Sequence, residues 1–197
     1  VALHADGFRD SYVVPFWIGF DGQLLVLARH RNDTSALYAI DAKTHQPKPE
    51  PMLSLKGYDF NGVMVYDTDV QRLLGVHYET DAEGTVWLDP VMQATQAAVD
   101  ALLPATVNRI ACRRCINVPK MLVISASDRQ PPSFHVYNRD TKVLTPITAS
   151  RPWIKAQAMG VRDVHRFAAR DGLSIPVLVT QPPGKAGGAR AAVVLVH

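Results

Sequence analysis

The feature that most constrains this chain is a repeated meter of short apolar segments. Tyr12 to Ile18, Leu24 to Arg29 and Ala36 to Ile40 are each of strand length, separated by Gly19-Phe-Asp-Gly22 and His30-Arg-Asn-Asp-Thr34. The meter returns in Val63 to Asp67, Leu73 to Tyr78 and Thr85 to Leu88. It returns again in Leu122 to Ser127, Ser133 to Asn138 and Val143 to Ile147. Short strands in groups, each group ending near an aspartate, predict a mainly β chain assembled by radial repetition instead of one open sheet. The groups share few residues at matching places, so the repeat is one of pattern.

One segment breaks the rhythm. Val91 to Leu103 is rich in helix formers and ends at Pro104. Val91, Thr95, Ala98 and Leu102 fall on one face at helical spacing, which predicts a connector helix near 91–103 packed over strand ends.

The C-terminal segment changes character. Val164-His-Arg-Phe167 reads as a strand, Asp171-Gly172 as a two-residue hairpin turn, and Ser174 to Thr180 as the returning strand. After the Pro/Gly-rich stretch Pro182 to Arg190 comes Ala191-Ala-Val-Val-Leu-Val196, an unbroken apolar run. Such a run predicts a strand buried on both faces of a mostly parallel sheet. No later residues cover it, and Val1 stands where an initiating Met would be, so the expectation is a chain cut from a longer protein.

This segment also carries a resemblance. Ala169-Arg-Asp-Gly-Leu173, Ile175-Pro176, Thr180-Gln-Pro182 and Val193-Val-Leu-Val-His197 resemble the entry to the catalytic domain of prolyl oligopeptidase-type serine peptidases. Members of that family join a β-propeller to an α/β-hydrolase domain, and a VVLVH-like strand leads there into a His-Gly-Gly-Pro turn. The resemblance implies that residues 1–160 are a partial β-propeller and 161–197 the truncated start of the α/β-hydrolase domain. Three strand groups fall short of the roughly four to eight blades of a closed propeller, so exposed strand edges should let the fragment self-associate.

The same resemblance implies that the intact protein hydrolyses peptides by acyl transfer through a Ser/Asp/His triad, with no metal or organic cofactor. The order nucleophile, acid, histidine places all three beyond the VVLVH strand, so this chain should be inert. No serine lies in a G-x-S-x-G turn. Ser125 and Ser127, beside Asp128, and Ser174, after a hairpin, are expected to be structural. His197 enters the loop that supplies oxyanion-hole N–H groups in this fold, and its expected role is a loop anchor. Two other functions are compatible with the residues: a non-catalytic β-rich binding module, and an esterase or other acyl hydrolase of the same fold.

Cys112-Arg-Arg-Cys115 is the only cysteine pair. It can be a short-loop disulfide in an exported parent, a pair of free thiols, or half of a zinc site. A redox dithiol would want a following helix, against which Ile116-Asn-Val-Pro119 argues. A disulfide favours a periplasmic or secreted parent over a cytoplasmic one. His77-Tyr-Glu79 with Cys112 and Cys115 imitates the H-x-E…P-C-x-x-C signature of zinc nucleobase deaminases. However, His77 ends an apolar strand, and Ala111 stands where the signature has Pro.

Charge separates few further classes. The net charge of +3 is interleaved along the chain, and its densest basic cluster, Arg109, Arg113 and Arg114, has no aromatics arranged for base stacking. A nucleic-acid partner is therefore not expected. Neither is a membrane partner, since no window approaches the roughly 18 apolar residues of a span. No signal peptide is visible at the N-terminus. Asp67, Asp69, Glu79, Asp81, Glu83 and Asp89 read as solvated turn residues and not as a calcium loop. His30, His45, His135 and His165 are scattered without metal spacing, and Arg109, Arg129 and Tyr137 are candidates to face a substrate cavity.

Overall fold

A computed structural model describes residues 13–30, 33–184 and 191–195. The chain is mainly β, laid down as antiparallel meanders in sequence order. The first sheet contains β1 (Val13–Ile18), β2 (Leu24–Ala28) and β3 (Ala36–Ala39). The second contains β4 (Gly62–Asp67), β5 (Arg72–Glu79) and β6 (Glu83–Trp87). Helix α1 (Pro90–Leu102) leads into a third sheet of β7 (Val107–Ala111), β8 (Lys120–Ala126), β9 (Ser133–Asn138) and β10 (Val143–Ala149). A 3₁₀ turn at Ala156–Ala158 precedes a separate ribbon of β11 (Val161–Ala168) and β12 (Ser174–Gln181).

The sheets are joined through their apolar faces. Leu25 and Leu37 of the first sheet share a buried cluster with Leu55, Phe60 and Val76, the last from the second sheet. The other face of the second sheet contributes Val65, Leu74 and Trp87 to a larger core. Met92 and Val99 of α1 and Ile110, Met121, Val123 and Tyr137 of the third sheet complete it. Leu74 and Val76 serve opposite faces although they are two residues apart. A register shift between Val65 and Tyr66 explains this, because an extra residue in one strand reverses the alternation of side chains.

Glycine permits two close approaches within the β5–β6 hairpin. A Cβ on Gly75 would lie 2.6 Å from both Trp87 Cε3 and the Val86 carbonyl oxygen. A Cβ on Gly84 would lie 2.5 Å from the Tyr78 ring. Each aromatic side chain thus covers the glycine directly across the ladder, Gly75 opposite Trp87 and Gly84 opposite Tyr78.

Several expectations from the sequence need correction. Val107–Ala111 is a strand that the apolar pattern of the sequence does not predict. It pairs with β8 at the edge of the third sheet. The helix buries Met92, Thr95 and Val99, while Val91 and Leu102 are about half exposed, so its inward face is rotated from that expected. Asp89 sets this phase: its carboxylate caps the first turn by accepting from Val91 and Met92 N–H. The Asp171-Gly172 connection has three residues between its closing pair, not two. Gly172 donates to the Ala169 carbonyl (2.9 Å) and Ala169 to the Leu173 carbonyl (2.8 Å). Gly22 and Gly172, at φ 77° and 85°, occupy the left-handed position that such a turn requires.

Residues 191–195 form no strand, and Val193, Val194 and Leu195 are more than 80% exposed. A parallel strand needs neighbours on both edges and both faces, and no described residues supply them to this run. Val196 and His197 lie outside the described residues, as do Tyr12 at the start of the first expected strand and the stretch 185–190. The solvated-turn reading fails at Asp67, which is fully buried, and at Asp89, which is 5% exposed. No helix among the described residues is long and apolar enough to cross a membrane.

Candidate ligand cleft

The face of the second sheet that looks toward β7 carries an ordered column of side chains. Gly75 opposes Trp87, His77 opposes Thr85, and Glu79 opposes Glu83. Period-two alternation puts all six on one face, apolar at the inner end, neutral polar in the middle and acidic at the hairpin tip. Beside this column lies a cleft of about 400 Å³, whose other wall is β7 and the end of α1, with Gln96, Asp100, Asn108 and Arg109. That volume is in the range of small-molecule sites.

The α1–β7 wall is held by an internally satisfied network. Trp87 Nε1 donates to Gln96 Oε1 (3.0 Å), and Gln96 Nε2 donates to Asp100 Oδ1 (2.9 Å) and the Asn108 carbonyl (2.8 Å). Asn108 Nδ2 donates to Asp100 Oδ1 (2.9 Å) and the Leu103 carbonyl (3.0 Å), while its Oδ1 accepts from Thr106 (2.8 Å). Asn108 is 4% exposed, so this network is what allows an amide to sit in an edge strand against the core.

The charged groups are less well served. Arg109 Nε is buried and has no hydrogen-bond partner, and its guanidinium makes no ion pair among the described residues. Glu79 and Glu83, directly opposed across the ladder, also lack a basic partner there. His77 Nδ1 lies 2.8 Å from Thr85 Oγ1. Burial pushes the His77 pKa down to about 4, the Arg109 charge adds to that, and a hydrogen bond with the Ile110 backbone opposes it. The cleft therefore presents a neutral imidazole at pH 7, flanked by an unpaired cation and by unpaired carboxylates.

The cysteine pair lies elsewhere and forms a disulfide, with Cα atoms 5.2 Å apart and Cys115 buried in the core. Both sulfurs are committed to each other, so the arrangement of His77, Glu79 and two thiolates expected of a deaminase is not assembled. Among the described residues no three His, Cys, Asp or Glu converge on a metal position. The disulfide loop is instead sewn to the β4–β5 turn. Asp67 accepts from Ile116 N (2.8 Å), Asp69 N (2.8 Å) and Val70 N (3.2 Å). Burial works to raise its pKa, yet these N–H groups outweigh it and hold the carboxyl below the usual range. Arg114 pairs with Asp69 at 2.7 Å, and Arg139 donates to the Cys115 and Ile116 carbonyls.

The other residues singled out in the sequence are dispersed. Ser125 is buried with its hydroxyl unpartnered, and Ser127 Oγ accepts from Arg129 and Gln130 N–H in a local turn. Asp128 accepts from Arg162 N–H at 2.9 Å. Ser174 closes the ribbon opposite Ala168. No histidine is hydrogen-bonded to these serines among the described residues. Tyr137 is in the core, and Arg129 donates to the Ala156 carbonyl. Of the three candidates to face a cavity, only Arg109 does so. His30 packs its ring against Tyr38 at 5.9 Å, His45 lies at φ 58°, and His165 faces Val177 across the ribbon. His135 Nδ1 is buried and unpartnered.

His77, Arg109 and Glu79 each had a sequence signal, but for other sites. No spacing rule joins residue 77 to residue 109, because α1 and the fold of two sheets bring them together. No protein-family model matches this chain, and no curated protein matches it at the level of significance required.

Proposed function

We propose that this chain is the end of a β-propeller and the start of an α/β-hydrolase domain from a prolyl oligopeptidase-type serine peptidase. The supporting observation is the order of parts. Meander sheets stack by their apolar faces in chain order, as blades would. They are followed at once by the ribbon carrying Ala169-Arg-Asp-Gly-Leu173 and Ile175-Pro176. On this reading the intact enzyme cleaves peptides by acyl transfer, and its Ser, Asp and His lie beyond His197. The fragment itself binds no cofactor, is inert, and self-associates through open strand edges. The parent is assigned to the periplasm or the exterior, where a disulfide such as Cys112–Cys115 persists.

The deciding experiment is to read the gene past the codon for His197. The expected continuation is Gly-Gly-Pro, then G-x-S-x-G, then Asp and His. A stop codon there overturns the enzyme reading. The pure chain is expected to resist a fluorophosphonate label, and triad-like labelling would contradict the placement of the nucleophile. A second reading, a non-catalytic binding module, is favoured by the cleft between β5, β6 and β7, which is built entirely within this chain. Acting on esters rather than peptides is a third outcome, separated by a substrate panel on the full-length protein.

A further inference from the structure

Two unfavourable features of the cleft have one remedy. Glu79 and Glu83 are directly opposed on neighbouring strands, where like charges repel, and no described cation relieves them. Arg109 has the opposite defect, a guanidinium whose Nε is withdrawn from water with no acceptor. Both line the same cavity, yet they lie too far apart to form a salt bridge with each other. The middle of the column, where His77 and Arg109 influence each other, stands two residues from the acidic pair, about 7 Å along the strand. Asp100 does not serve the guanidinium: it forms no ion pair with Arg109, and its Oδ1 accepts instead from Gln96 and Asn108.

We propose that this cleft binds a small zwitterion of the amino-acid class, its carboxylate on Arg109 and its ammonium between Glu79 and Glu83. A guanidinium fork suits a carboxylate, and two opposed carboxylates suit an ammonium with several N–H donors. The neutral His77–Thr85 pair lies between the charges and adds hydrogen-bonding capacity without adding charge. A simple anion would be repelled by the acidic tip, and a simple cation by Arg109, so the site selects for both charges in one molecule. Charge separation sets the preferred length: the guanidinium and the carboxylates line one cavity without reaching each other, so a longer ω-amino acid bridges them better than glycine. This site is independent of the hydrolase reading, since it needs no residue beyond those of this chain.

The test is calorimetric titration of the whole chain with glycine, β-alanine, γ-aminobutyrate and ε-aminocaproate. Butyrate and butylamine serve as single-charge controls. Affinity is expected to rise with length beyond glycine, with each single-charge control weaker by about tenfold or more. Arg109→Gln should weaken the best amino acid by about tenfold or more. Glu83→Gln should weaken it too while raising the melting temperature, because removing one of two opposed like charges stabilises the empty protein. A residue with a purely structural role would move both properties the same way. Absence of binding by all four amino acids at millimolar concentration overturns the proposal. So does butyrate or butylamine binding as tightly as γ-aminobutyrate. None of these outcomes bears on the gene sequence past His197.

Discussion

Strands β5 and β11 have the same length, eight residues, and both pair antiparallel, β5 with one register shift against β4 and β11 with none. Yet Leu74, Gly75, Val76 and His77 of β5 are buried, and β11 has no buried residue at all. The central strand is clamped between two apolar layers. The ribbon strand has one partner, β12, and both faces of the ribbon are open: Phe167 on one and Leu178 on the other are more than half exposed. Pairing alone confers little stability, since a lone two-stranded ribbon is marginal in water. What fixes β11 to the sheets is polar: Arg166 donates to Tyr58 (2.6 Å) and Asp81 (3.3 Å), Tyr58 donates to Asp81, and Arg162 N–H donates to Asp128. The hydrogen bond to Asp81 raises the Tyr58 pKa, while Arg166, above its usual value beside Tyr58 and Asp81, works against it.

The largest test of this contrast is truncation of an apolar side chain in each strand. Leu74→Ala should cost about 3 kcal/mol in urea unfolding, whereas Phe167→Ala should cost less than about 0.5 kcal/mol. Equal losses would mean that the ribbon is part of the same cooperative core. Gly75→Ala should cost about 1–3 kcal/mol, because its methyl meets Trp87 and backbone that cannot move aside. Asp67→Asn should cost about 1–3 kcal/mol by degrading the contacts that hold the disulfide loop, measured in the same way.

Acid should distinguish the two regions as well. The unfolded His77 binds a proton near pH 6.5, and the folded ring only at about 4. Between these values the unfolded state holds more protons, so stability should fall as pH drops from about 6.5 to about 4. His77→Gln should flatten that limb. The lowered pKa of Asp67 acts in a different window: its contribution is complete above the unfolded carboxylate value and is lost as pH falls through the folded one. The smallest expected effect is that of Arg166→Ala. The global unfolding midpoint should hardly move, while hydrogen exchange accelerates selectively in 161–181. An unchanged exchange pattern would show that the polar contacts do not hold the ribbon.

Most of the strands were readable from the chain because their signal is local. Val, Ile, Leu and aromatic residues in short runs, bounded by Asp-Gly or similar turns, mark β2, β5, β8 and β9 without reference to anything distant. Strand β7 escaped because Asn108 and Arg109 interrupt its apolar run, and Asn108 is buried only through partners on α1 and the loop before β7. The helix was legible, but its phase was not, since Val91 and Met92 are equally apolar and the Asp89 cap decides between them. The cleft left the faintest trace. Glu79 and Glu83 look like ordinary turn acids until the register sets them face to face.

What the sequence by itself determined is the inventory: antiparallel strands of this length, left-handed glycines after Asp21 and Asp171, one helix ahead of Pro104, and a single cysteine pair close enough to join. These depend on backbone sterics and on neighbours a few residues away. Only the tertiary structure decided that Asp67 is buried and Glu79 is not, and that Arg109 stands beside His77 without an acceptor. A charged side chain is chemically the same in either place. Its environment is set by which sheet packs against it, and that is decided by the summed burial of residues far apart in the chain.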